Sequence, residues 1–123
     1  MPKRLLDVGN CAADHGSIRE LVKRQFGAEV VHAHSAAEAL AALRKDGFDL
    51  VVINRVFDLD GDDGIELIRA IKADAKLAPV PVMLITNYPD YARQAEAGGA
   101  APGFGKRELH SAQTVERLKA YLG

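Results

Sequence analysis

LVVINRVFDLDGDDGIELI, residues 50–68, decides the architecture. With Phe48 and Asp49 in front, the run FDLVVIN is almost continuously apolar, the pattern of a strand covered on both faces. It stops on an amide, Asn54, and passes through the acids Asp58, Asp60, Asp62 and Asp63. GIELIRAIKA then repeats Ile65, Ile68 and Ile71, with Leu67 beside them, at helical spacing. A buried strand, an acidic loop and an amphipathic helix in that order make half of a strand-helix-strand unit.

Working outward, the same unit recurs. LLDVG is a short apolar segment closed by Gly9, and GNCAADHG reads as a polar loop before the helix SIRELVKRQF, with Ile18, Leu21, Val22 and Phe26 on one face. After Gly27 come EVVHAH and AAEALAALRKDG, where Ala36, Leu40 and Leu43 share a face and Gly47 is a C-terminal stop. Beyond the central stretch, PVPVMLIT, YPDYARQAEAGG, APGFG and SAQTVERLKAYLG supply strand, helix, a weak strand and a closing helix. Five strands alternating with five helices imply parallel pairing through crossovers. The expected fold is a doubly wound α/β sandwich, with residues 1–123 forming one domain.

The composition fits that size of core and narrows the function. Of 123 residues, 48% are hydrophobic, and 16 basic residues stand against 17 acidic ones for a net charge of -1. With the charges interleaved, nothing favours nucleic acid or an anionic membrane as partner. The single cysteine, Cys11, excludes an internal disulfide and a cysteine-rich metal site. MPKRLLDV has basic residues without a long apolar run behind them, so the chain reads as soluble and cytoplasmic.

In a doubly wound sheet the site lies beyond the carboxyl ends of the strands, where strand order reverses. Here those ends are Gly9 and Asn10, His34, Asn54 and Arg55, Thr86 and Asn87, and Lys106. At these positions the pattern resembles the receiver domain of two-component response regulators, over essentially the whole chain. DLVVIN...DGIELIRAIK resembles that family's third strand, acceptor loop and third helix. PVMLIT resembles its fourth strand ending in a hydroxyl residue, and EAGGAAPGFGK its glycine-alanine turn and fifth strand ending in lysine. The resemblance implies a flavodoxin-like fold in which an aspartate closing the third strand accepts a phosphoryl group, with Mg²⁺ held by that aspartate and an acidic pair after the first strand.

The chain departs from the family at those positions. Asn54 occupies the acceptor place, and an amide, with its nitrogen lone pair delocalised and no full charge on oxygen, is not a useful nucleophile. Matching RLLDVGN to the first strand sets Gly9 and Asn10 where the acidic pair belongs, so Mg²⁺ binding should be weak or absent and no cofactor is expected. A different gap placement brings Asp14 into one acidic position. The loop VFDLDGDDG is about two residues longer than the family's usual one, Arg107 follows Lys106 where proline is usual, and Gly103 stands near the switching aromatic. Thr86 and Lys106 match the family pattern, although Lys106 lacks its counter-ion and is expected to turn outward or pair with an acid of the loop.

Other clusters are better read as structural. Asp58, Asp60 and Asp62 have the alternation of a calcium loop, but Gly64 comes two residues late and Arg69 stands where a bidentate acid is required. Asp62 or Asp63 is instead expected to cap the third helix, with Asp58 and Asp60 solvating a turn. Thr86 at a strand end commonly bonds nearby backbone. His32 and His34 alternate along one strand face with no third ligand nearby in sequence, so a partly exposed strand explains them. His15 follows Asp14 without forming a recognisable motif, and Cys11 reads as an inert thiol.

The sequence therefore points to a non-enzymatic pseudo-receiver signalling through protein contacts. Its rivals are a receiver phosphorylated on an unusual acid such as Asp58 or Asp14, and a small-ligand module using the strand ends as a pocket. The resemblance implies that the fourth helix, fifth strand and fifth helix present the contact face, for another signalling protein or for self-association. Tyr88 and Tyr91 offer stiff aromatic area there, with Arg93, Gln94, Arg107, Glu116 and Lys119 as a charged rim.

Overall fold

The computed structural model describes residues 2–123. Its elements run β1 (Arg4–Val8), α1 (Ala12–Phe26), β2 (Glu29–Ala33), α2 (Ala36–Lys45), β3 (Leu50–Asn54), α3 (Gly64–Ala73), β4 (Val82–Ile85), α4 (Pro89–Ala97), β5 (Ala101–Phe104), a 3-10 turn (Lys106–Glu108) and α5 (Ala112–Leu122). The strands form one parallel sheet in the order β2-β1-β3-β4-β5, the doubly wound, flavodoxin-like arrangement. Strand order reverses at β1, so the carboxyl ends of β1 and β3 flank the switch point.

The period of two along the central strands divides the core into two layers. Leu5, Val52, Met83 and Ile85 face α1 and α5, whose Ile18, Leu21, Val22, Leu118 and Leu122 cover them. Leu6, Val8, Val51, Ile53 and Leu84 face the other way, against Leu43 of α2, Ile65, Ile68 and Ile71 of α3, and Ala95 of α4. Each fully buried aliphatic side chain contributes roughly 2 kcal/mol of transfer free energy. The run LVVIN has no polar alternation because both of its faces are covered.

Caps set the helix starts. Ser35 accepts from Glu38 N at 3.1 Å, Asp63 from Ile65 N at 2.9 Å, and Ser111 from Thr114 N at 3.2 Å. Helix α1 differs from the expectation, beginning at Ala12 rather than Ser17. The segment AADHG is helical, and Gly16 is an exposed helical position with open space around it, not a break. This earlier start sets Asp14 and His15 on a helix instead of in a loop.

Candidate functional site

The β1–β3 register pairs Val8 with Ile53, which sets Gly9 beside Asn54 at the switch point. Asn54 is buried, and its Nδ2 donates to Gly9 O at 3.2 Å and to Val56 O at 2.7 Å. Both partners are carbonyls, so the group aimed at them must be a donor. Gly9 has φ +80°, and a Cβ there would meet the ring of Phe57 at 2.3 Å. Phe57 is itself buried, so glycine is the residue this packing admits.

The long acidic loop closes on the same point. Asp58 N donates to Gly9 O at 2.9 Å, Phe57 N to Asp62 O at 2.9 Å, and Gly61 N to Phe57 O at 2.9 Å. Asp60 accepts from Asp62 N at 2.9 Å, as in an Asx turn, while Asp63 caps α3. Gly64 begins α3 so close to β3 that a Cβ would lie 2.2 Å from Asn54 O.

Lys106 is engaged by helix α1. Its Nζ lies 2.8 Å from Asp14 Oδ2 on α1, so its partner is neither solvent nor a loop acid, as expected from sequence, but an acid that the early start of α1 presents. The hydrogen bond and charge of Lys106 hold the Asp14 carboxyl below its ordinary value, against the opposing pull of partial burial. Thr86 accepts from Tyr88 N at 3.2 Å, which ties its hydroxyl to the start of α4. Asn10 is turned toward Asp7, to whose Oδ1 its Nδ2 donates at 2.5 Å.

The switch point does not suit Mg²⁺. That ion requires charged oxygens in near-octahedral array. The Gly9 and Val56 carbonyls are occupied by the Asn54 amide, and Asp14 is paired with Lys106. Among the described residues, acidic and imidazole ligand atoms gather elsewhere, at Asp7, His15 and His32.

A cleft of about 410 Å³ opens beside Asn54, lined by Arg55, Val56, Thr86, Tyr88, Tyr91 and Lys106 among others. Tyr88 is 65% exposed, whereas Tyr91 packs against the core and lies under Arg55, the guanidinium carbon 3.9 Å from its ring centroid. The two tyrosine rings meet edge to face at 6.2 Å. Tyr91 is therefore only partly available to a partner. Arg93 is exposed and paired with Asp90 on α4, and the backbone of Arg107 donates to Asn87 Oδ1 at 3.3 Å. On β5, a Cβ at Gly103 would lie 2.1 Å from Leu84 O, so no side chain fits there.

The sequence reading passed over Arg55, although it named the position as a strand end, and it did not join Asp7 to the histidines. A lone acid inside the apolar RLLDV was the available signal.

Comparisons with known proteins identify the family and the fold. A family model for the response regulator receiver domain matches residues 11–115. The chain is 31% identical over 77 residues to chemotaxis protein CheY of Pseudomonas aeruginosa, covering 59% of this chain and 60% of that protein. It thus spans about three fifths of the length of the curated relatives it matches. The fold is similar to that of a sensor protein from Polaromonas sp. JS666, with a TM-score of 0.84 at 15% identity over 98% of this chain and 95% of the other. It is also similar to the signal receiver domain of a DNA-binding response regulator from Colwellia psychrerythraea, with a TM-score of 0.81 at 21% identity over 96% of both chains. No described helix is long and apolar enough to cross a membrane. The chain belongs to the response regulator receiver domain family, the signalling modules of two-component systems.

Proposed function

We propose that this chain is a pseudo-receiver, a member of its family that signals through protein contacts without phosphorylation at the end of β3. The observation that carries the reading is the double donation from Asn54 Nδ2 to the carbonyls of Gly9 and Val56. A carboxylate in the same place would set oxygen against oxygen, so the local backbone suits an amide and opposes the group that phosphoryl transfer needs. The ion pair between Lys106 and Asp14 supports the same reading, because the lysine that would meet a phosphoryl oxygen is already engaged.

The test is incubation with acetyl phosphate and Mg²⁺ followed by intact-mass measurement, with beryllofluoride added in a parallel NMR titration. The expected outcome is no added phosphoryl mass and no shifts around Asn54, Thr86 and Lys106. A labelled peptide containing Asp14 or Asp58 would instead establish a receiver that uses an unusual acid.

Contacts would run through Tyr88, with the exposed side chains of Arg93 and Arg107 at the rim of the face formed by α4, β5 and α5. Replacing Tyr88 with serine is expected to weaken self-association in sedimentation, or capture of a signalling partner, without unfolding the chain. The cleft between Arg55, Tyr88 and Lys106 favours a second reading, a small anionic ligand held without chemistry. A thermal-shift screen of nucleotides and phosphorylated metabolites separates it from the first.

A further inference from the structure

We propose that Asp7, His15 and His32 form a binding site for a divalent transition-metal ion of the zinc class, on the α1 side of the sheet. The topology brings the three together. Asp7 and His32 are register partners on β1 and β2, and α1 lays His15 across them near its start. One ligand atom from each lies within 4.8 Å of the other two.

Asp7 needs a positive partner. Its side chain is 0% exposed, and its only ion-pair partner among the described residues is His15, with Nδ1 2.7 Å from Oδ2. A buried carboxylate without compensating charge is strongly disfavoured. A bound cation would supply that compensation. The imidazoles stand in a row beside the carboxylate, His15 stacked on His32 at 3.9 Å and 4°, and His32 followed by His34 at 4.2 Å.

The hydrogen bonds around the trio are those of an oriented ligand set. His32 Nε2 lies 2.8 Å from the backbone oxygen of Asn10, which only accepts, so Nε2 carries the hydrogen and, in the neutral ring, Nδ1 is the nitrogen free to ligate. Metal-binding histidines are held in this manner, with the second ring nitrogen donating to a carbonyl or carboxylate. The same Asn10 orients Asp7 by donating from Nδ2 to Oδ1. Its own Oδ1 is buried and has no hydrogen-bond partner, which leaves an acceptor for a water on the ion. Two imidazole nitrogens and one carboxylate oxygen, with a fourth position open, are a donor set that zinc takes and that hard, oxygen-seeking Mg²⁺ and Ca²⁺ do not. Ligation requires the two stacked rings to turn out of parallel, and both side chains are only partly buried.

This inference does not rest on the loss of phosphorylation at Asn54, and neither result bears on the other. The experiment is titration of tag-free, chelator-stripped protein with Zn²⁺ by calorimetry and with Co²⁺ by visible absorption. One ion per chain is expected, with Co²⁺ bands of a low-coordinate nitrogen and oxygen site. His15→Ala and His32→Ala should each weaken binding by more than about a hundredfold, beyond the loss that outer-shell changes alone bring. His34→Ala, which removes the neighbouring exposed imidazole, should leave it unchanged. Asp7→Asn should also lose binding, and if that variant does not fold, the two histidine variants decide. The proposal is overturned if the folded parent shows no saturable binding at one equivalent. It is equally overturned if a folded variant lacking both His15 and His32 binds as the parent does.

Discussion

The end of β3 and the middle of β1 contrast in charge. At the switch point this chain has a glycine and two amides. Within β1, in the layer covered by α1, it buries a carboxylate in an otherwise apolar strand. The two regions share Asn10, which could have served the first and instead donates to Asp7 in the second. Hence uncharged residues suffice at the strand ends, while a carboxylate in the nearby interior is tolerated only where strand register and helix phase supply partners.

The largest predicted effect comes from adding a charge at the strand ends. Gly9→Asp combines a positive φ with a Cβ against the Phe57 ring, and should destabilise the fold by about 3 kcal/mol or more in chemical denaturation. If stability is unchanged and Mg²⁺ binding appears, the strand ends have no packing reason for their lack of charge. Next, Asp7→Ala leaves Asn10 Nδ2 and His15 Nδ1 without their acceptor and should lose about 2 kcal/mol. A neutral result would mean that Asp7 is tolerated in the interior and not needed there.

Asn54→Asp should lose about 1 to 2 kcal/mol, because two donated bonds become contacts between oxygens. Little Mg²⁺-dependent labelling by acetyl phosphate is expected from that single change. Efficient labelling would show that the acids of residues 58–63 or Asp14 complete a cation site, and the contrast between the two regions would fail.

The smallest effect belongs to Lys106. Because the folded-state value of Asp14 is lowered, the pair's contribution is present above the ordinary carboxylate range and is lost as pH falls through the lowered value. Both side chains are 39% exposed, so solvent screening keeps the contribution under about 0.5 kcal/mol. Lys106→Ala should lower stability by that small amount near neutrality and leave it unchanged below the carboxylate range, which flattens the acid limb of a profile measured at low salt.

The fold was legible where burial wrote an unbroken signal. LVVIN is apolar throughout because β3 is covered on both faces, and Ile65, Ile68 and Ile71 keep helical spacing because α3 buries one side. The start of α1 was not legible, since Gly16 interrupts the apolar pattern although its position is exposed and merely helical. Asn54 announced its chemistry by residue type alone. Its two carbonyl partners, and the choice of Asp14 by Lys106, depend on loop path and helix phase that no local pattern records. The gathering of Asp7, His15 and His32 was hidden for the same reason, as it needs the pairing of β1 with β2 and the angle at which α1 crosses them.

The Phe57 ring that fills the space beside Gly9 also sets what the two strand ends can accept. A carboxylate at Gly9 would collide with that ring, and one at Asn54 would face the Gly9 and Val56 carbonyls. The present backbone therefore filters substitutions at both positions by charge as well as by size, and an acid at either one is expected to require a rearranged loop around Phe57.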